Sequence, residues 1–203
     1  IYQSFPPTPQ IRWPLLDARL GTRCWVKHEN HTPVGAFKVR GGLVYLHWLQ
    51  AAHPEVQGIV TATRGNHGQS IGYAAQRTGA RACVVVPRGN SSEKNAAMRA
   101  LGVELIEDGD DFQDSVEVAD RLAVERGWHR LPSFHTHLVA GVGTYALELL
   151  RAAPDVKTVY VPIGLGSGAC GVIAARDALG HQAEVVGVVS TEAQAYARSL
   201  ETG

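Results

Sequence analysis

Short runs of β-branched residues alternate with amphipathic stretches along most of this 203-residue chain. The short runs predict five buried strands, at residues 58–62, 81–86, 103–106, 158–161 and 184–189. The amphipathic stretches predict seven helices, at residues 35–52, 66–78, 91–101, 111–126, 141–152, 168–179 and 192–200. Strands that alternate with helices are typical of parallel sheets covered by helices on both faces. The pattern therefore predicts an open, mostly parallel α/β fold.

Charge and hydropathy limit the classes of molecule that this protein is expected to bind. The chain has 19 basic and 19 acidic residues and no cluster of Lys and Arg, so nucleic acid is not an expected partner. Its apolar runs are far too short to cross a bilayer, and no segment resembles a signal peptide. Cys24, Cys83 and Cys170 lack zinc-like spacing, which favours free thiols in a reducing compartment. These features predict a cytoplasmic enzyme that acts on a small molecule.

Lys38 stands at the predicted start of a helix, after Gly35, Ala36 and Phe37. A lysine amine can form a Schiff base with an aldehyde cofactor when its neighbours hold it and keep part of it deprotonated. Most lysines are solvated surface residues, because a charged head is costly to bury. Lys38 is therefore a catalytic candidate only in the context of two further segments.

The second segment lies where the strand at 58–62 ends and the helix at 66–78 begins. Ligands bind outside the carboxyl ends of parallel strands, and the free N–H groups of the next helix attract anions. Thr63 adds a hydroxyl and Asn66 an amide to this position. The alternative is a glycine turn with Asn66 as helix cap and His67 as a packing residue.

The third segment is the glycine-rich turn from Gly164 to Gly168, again between a strand and a helix. Its alternating glycines let backbone N–H groups approach an anion, so this turn is a candidate phosphate site. Gly166, Gly168 and Gly171 also have the spacing of a dinucleotide fingerprint, and Glu192 follows where a ribose-binding acid is expected. A nucleotide-binding oxidoreductase is therefore an alternative, but it gives no reason for Lys38 or Asn66.

Together, the three segments resemble the fold type II enzymes that use pyridoxal phosphate, and among them the serine/threonine dehydratases. The matching residues occur in the family's order and at similar separations. They are Lys27, Glu29, Gly35, Ala36, Phe37, Lys38, Arg40 and Gly41, then Gly65, Asn66 and His67, then residues 162–168. The resemblance implies a two-domain fold like that of the tryptophan synthase β chain, and a homodimer. In it, a smaller domain at 58–137 is inserted into a larger cofactor-binding domain formed by 1–57 and 138–203.

The resemblance also implies a role for each motif. Lys38 is expected to bind pyridoxal phosphate covalently, Phe37 to pack against its ring, and Asn66 to bond its 3′ oxygen. The phosphate is expected on the loop of Gly164, Leu165, Gly166, Ser167 and Gly168. The substrate is expected at Thr63, Arg64, Asn66 and His67.

The reaction implied by the resemblance is β-elimination from a hydroxy amino acid, such as threonine or serine, which gives a 2-oxo acid and ammonia. Another lyase or β-replacement enzyme, such as a hydroxyaspartate dehydratase or a cysteine-synthase-like enzyme, is the alternative. Arg64 stands where some serine-racemising relatives carry a serine base, and a guanidinium does not deprotonate, which favours elimination. Arg64 can instead pair with an acidic substrate.

Two further departures concern a metal site and the chain's extent. Relatives bind a divalent cation through an acid that matches Glu192 and another six residues later, where this chain has Arg198. The carboxylate of Glu192 alone gives too few oxygen ligands for a divalent cation, so no metal is expected. The residue that faces the cofactor's pyridine nitrogen has no candidate in the sequence and is expected beyond Gly203, in a longer chain.

Overall fold

The computed structural model describes residues 1–202, so Gly203, the last residue of the predicted larger domain, lies outside the described residues. The strands are β1 (Gln10–Arg12), β2 (Trp25–Lys27), β3 (Gly58–Ala62), β4 (Arg81–Val86), β5 (Glu104–Glu107), β6 (His129–Arg130), β7 (Thr158–Pro162) and β8 (Glu184–Val188). The α-helices are α1 (Pro14–Leu20), α2 (Lys38–Ala52), α3 (Asn66–Thr78), α4 (Ser92–Ala100), α5 (Phe112–Arg126), α6 (Thr136–Ala152), α7 (Ser167–Ala178) and α8 (Ala195–Thr202). None of these helices is long and apolar enough to span a membrane.

Parallel pairing dominates the sheets, which confirms the predicted fold class. The largest sheet has the order β5-β4-β3-β6 with every pair parallel, and β7 and β8 form a second parallel pair. β1 and β2 pair antiparallel. The four-stranded sheet falls inside the segment predicted to form the smaller domain, although the domain boundaries themselves stay a prediction.

Alternate residues of the central strands point into two different cores, because successive side chains of a strand face opposite sides. On β4, Ala82, Val84 and Val86 pack with residues of α2 and α3. Cys83 and Val85 face the other way and pack with α5. Helices therefore cover both faces of the sheet, as predicted, and a third core lies between α6, α7 and the β7–β8 pair.

Four glycines let the central helices approach one another closely. A Cβ at Gly141 of α6 would collide with a backbone carbonyl of α2, and a Cβ at Gly171 of α7 would lie 2.9 Å from the backbone nitrogen of Gly143 on α6. Gly42 packs in the same way against Ser70 of α3. Each contact lies within the first two turns of α2, α3 or α7, so the N-terminal ends of these three helices lie close together.

Three predicted helix starts were wrong by several residues. α8 begins at Ala195 rather than at residue 192, since the Ala193 N–H bonds the Ser190 carbonyl at 3.0 Å in a separate turn. α2 begins at Lys38 rather than at residue 35, because Gly35 has a φ of 66° and the Thr32 hydroxyl accepts the Ala36 N–H at 2.9 Å in a separate turn. α6 begins at Thr136 rather than at residue 141, since the Nδ1 of His135 accepts the His137 N–H at 3.2 Å and caps the helix there.

Candidate functional site

Lys38 is the first residue of α2, and its side chain is partly buried. Burial lowers the pKa of the Lys38 amine below its usual value. The Nζ lies 3.2 Å from the Oγ of Ser167, the first residue of α7, and the Ser70 hydroxyl donates to the Lys38 carbonyl at 2.6 Å. Because the glycine contacts bring the starts of α2, α3 and α7 close together, Lys38 lies directly beside the glycine-rich turn.

Phe37 lies next to Lys38 and faces the same turn. A Cβ at Gly168 would lie 3.4 Å from the Phe37 Cζ, and the ring centroid is 5.6 Å from the Lys38 Nζ. The Phe37 ring also packs against Tyr145, with 5.9 Å between centroids. The structure thus brings the adjacent residues Phe37 and Lys38 to the adjacent residues Ser167 and Gly168, although Lys38 and Ser167 are 129 residues apart in the sequence.

The turn between β7 and α7 presents a row of backbone donors. Gly166, with a φ of 86°, precedes α7, and no side chain in the described part of the chain caps this helix. Within residues 1–202, the N–H groups of residues 164–169 have no hydrogen-bond acceptor in the protein. Such a row, at a helix start and without a Cβ at alternate positions, suits a phosphate group. Sequence reasoning missed Tyr196, whose hydroxyl oxygen lies close to this turn, 2.8 Å from where a Gly166 Cβ would be.

The start of α3 combines exposed and buried residues. Arg64 and Asn66 are exposed, whereas Thr63 is buried, and its hydroxyl accepts the Gly65 N–H at 3.0 Å. The side chain of Lys94, from α4, crosses Gly65, since its Nζ lies 3.4 Å from where a Gly65 Cβ would be. Within the described part of the chain, Arg64 and Lys94 form no ion pair, and neither the Arg64 nor the Asn66 side chain is hydrogen-bonded to Lys38.

The ring of His67 is buried at 6 % exposure, and its Nε2 has no hydrogen-bond partner among the described residues. Burial, followed by the positive charges of Lys38 and Arg130, lowers the pKa of His67 from 6.5 to about 3. His67 therefore stays neutral in the folded protein near pH ~7, and its ring adds no positive charge to the helix start.

We expect this depressed pKa to make stability depend on pH. Below about pH 6 the unfolded chain binds a proton at His67 that the folded chain does not bind, so the free energy of unfolding falls by about 1.4 kcal/mol per pH unit as pH decreases. Urea unfolding from about pH 6 to about pH 5 should show this slope reduced in His67→Leu. An equal slope in His47→Leu and wild type serves as the control, and an unchanged slope in His67→Leu would contradict the expectation.

A buried ion-pair network holds α2 in place, and the sequence motifs did not indicate this structural role. Arg40, fully buried, donates two hydrogen bonds to each of Glu29 and Glu148, at 2.6–3.1 Å. Lys27 also pairs with Glu148 at 2.6 Å, and the Thr8 hydroxyl donates to Glu29 at 2.6 Å. Lys27, Glu29 and Arg40 were recognised as motif residues, but only the fold shows that they fix the turn that precedes Lys38.

Neither of two other places in the fold carries the candidate chemistry. An open cavity of about 670 Å³ lies between β2 and β7, and Phe37 borders it, but Lys38, Asn66 and the turn at 164–168 do not. Among the described residues, no group of three or more His, Cys, Asp or Glu side chains is placed to hold a metal ion. Lys38 and the two helix starts therefore remain the candidate site.

The residues at this site fit pyridoxal phosphate. The partly buried amine of Lys38 suits an aldehyde, the backbone donors of residues 164–169 suit a phosphate, and Phe37 offers an aromatic face between them. Asn66 lies at the neighbouring helix start, where its exposed amide can bind a polar substituent.

Comparisons with known proteins agree with this fit. The model of the family described as pyridoxal-phosphate dependent enzyme matches residues 1–203. The biosynthetic L-threonine dehydratase of Pasteurella multocida is 31 % identical over 204 residues, which cover 100 % of this chain and 40 % of that protein. The chain thus spans less than half the length of this curated relative.

Solved structures show the same architecture. A threonine deaminase from T.th. is 35 % identical with a TM-score of 0.88, over 97 % of this chain and 64 % of that one. A pyridoxal 5'-phosphate-dependent aspartate racemase is 32 % identical with a TM-score of 0.86, over 89 % of this chain and 56 % of that one. The family match, the fold and the three motifs together show that the chain belongs to the fold type II pyridoxal-phosphate dependent enzymes, with threonine dehydratases among its relatives.

Proposed function

We propose that this chain forms the reaction centre of a pyridoxal-phosphate dependent ammonia-lyase that converts a hydroxy amino acid, such as threonine or serine, into a 2-oxo acid and ammonia. The observation that carries the proposal is the partly buried Lys38 amine, which lies 3.2 Å from Ser167 at a helix start with free N–H groups. The similarity to threonine dehydratases supports the choice of substrate.

Each predicted residue receives a role in this proposal. Lys38 binds the cofactor, Phe37 packs against its ring and Asn66 bonds its 3′ oxygen. The N–H groups of Gly164, Leu165, Gly166, Ser167 and Gly168 bind its phosphate. When bound, the cofactor supplies an electron-poor ring that takes up negative charge from the substrate Cα.

The protein's own part in the reaction is to orient the substrate and move one proton. The substrate carboxylate binds the N–H groups of Asn66 and His67 at the start of α3, beside Thr63. Because burial lowers the pKa of Lys38, more of its amine is neutral near pH 7 than in a solvated lysine, and the neutral amine removes the α-proton. Arg64 cannot supply a second base, which favours elimination over racemisation.

A second candidate substrate is an amino acid with an additional carboxylate, such as 3-hydroxyaspartate. Arg64 and Lys94, two cations that have no ion-pair partner within residues 1–202, flank Gly65 at the start of α3. The similarity to an aspartate racemase, whose name implies a substrate with a second carboxylate, supports this candidate. The cations would bind the distal carboxylate while the backbone N–H groups bind the proximal one.

An assay of the full-length protein distinguishes the two candidates. The release of 2-oxo acid from serine, threonine and 3-hydroxyaspartate tests the lyase activity itself, which would be refuted if no substrate were turned over. Arg64→Ala is expected to lower kcat/KM for hydroxyaspartate by about tenfold, the value of one charged contact, and to leave threonine within about twofold. Arg77→Ala, at the other end of α3, is the matched control. Equal effects of Arg64→Ala on both substrates would exclude the acidic substrate.

We further propose, from the resemblance, that the protein acts in the cytoplasm as a homodimer, with the smaller domain at 58–137 closing over the substrate. An apolar surface around α1 supports an assembly contact, because Trp13, Leu15 and Leu20 are exposed there. The concentration dependence of mass in analytical ultracentrifugation of the full-length protein tests the dimer.

A further inference from the structure

The hydrogen bond between Lys38 and Ser167 joins two helix starts that are 129 residues apart in sequence. Ser167 is 3 % exposed, so its hydroxyl is held in the protein interior rather than in solvent. Within residues 1–202, this hydroxyl is the only hydrogen-bond partner of the Lys38 Nζ. Because the Ser167 hydroxyl is buried, it needs a partner within the protein, and the Lys38 amine is that partner.

In the described part of the chain, no carboxylate competes with Ser167 for the Lys38 amine. The two acids of the buried ion-pair network, Glu29 and Glu148, are engaged by Arg40 and Lys27. The imidazole of His67, which is close enough to feel the charge of Lys38, is neutral and offers no negative charge. A change in the protonation state of Lys38 therefore leaves no unpaired countercharge behind.

A hydroxyl suits an amine that has to be charged at one step and neutral at another. The Ser167 oxygen can accept an N–H from the ammonium form, and the Ser167 O–H can donate to the lone pair of the neutral form. A carboxylate in the same place would accept only, and it would stabilise the charged form strongly. The serine hydroxyl rotates between the two roles without gaining or losing a proton.

We propose that Ser167 is a positioning residue that holds the Lys38 amine whenever that amine is not attached to the cofactor. The proposal rests on the proposed lyase function, in which Lys38 must be released to move the α-proton. A free lysine side chain has several rotatable bonds, and ordering it costs conformational entropy. The hydroxyl of Ser167, at the first residue of α7, limits the conformations that the Lys38 side chain adopts and keeps its amine beside the turn at 164–168.

The first test measures Lys38 in the full-length protein freed of cofactor, so it does not depend on activity. The rate of acetylation of Lys38 by acetic anhydride is followed against pH by peptide mass spectrometry, with the exposed Lys157 as internal reference. Ser167→Ala is expected to label Lys38 about threefold faster near pH ~7.5, because the bond that Ser167 accepts from the ammonium is stronger than the one it donates to the neutral amine, so losing both favours the reactive neutral form. Ser167→Thr, which keeps the hydroxyl, is expected to restore the wild-type rate.

The second test separates positioning of the amine from binding of phosphate. At saturating cofactor, Ser167→Ala is expected to lower kcat about tenfold, to leave KM for the amino acid unchanged and to shift the acid limb of the kcat profile to lower pH. Cys170→Ala, an exposed position on the same helix, is the matched control. Ser167→Gly repeats the test if Ser167→Ala folds poorly.

The possible outcomes distinguish a positioning role of Ser167 from a role in phosphate binding alone. Unchanged labelling of Lys38 in Ser167→Ala would overturn the positioning role. Weaker cofactor binding with an unchanged kcat would also overturn it, and would leave Ser167 as a phosphate ligand alone. If labelling changes while no hydroxy amino acid is turned over, the lyase function fails and the hold of Ser167 on the amine stands.

Discussion

Lys38→Ala is expected to lower kcat for hydroxy amino acids by more than ~10³-fold, because in the proposed function Lys38 both attaches the cofactor and moves the α-proton. Borohydride reduction of the wild-type protein with pyridoxal phosphate should add the pyridoxyl group to the peptide that contains Lys38. Mass spectrometry should find no such adduct in Lys38→Ala. Release of 2-oxo acid from threonine or serine gives the kinetic measurement.

Two controls show that this loss is chemical rather than structural. The urea midpoint of Lys38→Ala should stay close to wild type, since the carbonyl that accepts the Ser70 hydrogen bond is backbone and is retained. Lys157→Ala, at an exposed position, should keep both the adduct and the activity. An adduct on a different lysine, or an active Lys38→Ala protein, would remove Lys38 from the mechanism.

Arg40→Leu is expected to destabilise the protein by about 3–5 kcal/mol, because it leaves two buried carboxylates with too little positive charge. Without Arg40, Lys27 would be the remaining basic partner in this network. It pairs with Glu148 but not with Glu29. Urea unfolding near pH ~7 measures the loss. Arg40 favours the charged form of Glu148 and so lowers its pKa against the effect of burial, and the loss should therefore shrink as the pH falls and the acid is protonated.

A surface ion pair provides the comparison for Arg40. Arg99 pairs with Glu107 at 2.8 Å, but both side chains are well exposed, so Arg99→Leu should cost at most about 1 kcal/mol. If Arg40→Leu costs no more than Arg99→Leu, the buried network does not stabilise the start of α2 in the way that its geometry indicates.

The parts of the fold that the sequence predicted well are those with strong local patterns. β3 and β4 are buried on both faces, so their apolar runs stand out from the neighbouring segments. β1, β2 and β6 have only two or three residues each and were missed, because so few residues carry no periodicity. These strands form through pairing with partners elsewhere in the chain, which a local pattern does not show.

The candidate site likewise has residues that local sequence motifs predicted and contacts that they did not predict. Lys38 and the two helix starts were found because each lies in a short, recognisable motif. The link between Lys38 and Ser167 spans 129 residues, and that between Arg40 and Glu148 spans 108, so neither leaves a local signal. The fold creates these contacts, and they determine how the motif residues are held.

The glycine contacts between helices limit how this protein can vary between individuals and species. Any missense change at Gly141 or Gly171 adds a Cβ that meets the backbone of the neighbouring helix, and a backbone cannot move aside as a side chain can. Gly164, by contrast, has open space around it. Inherited variants at the crossings should therefore be lost through misfolding, whereas variants at Gly164 should fold and, if the proposed phosphate site is right, bind the cofactor differently.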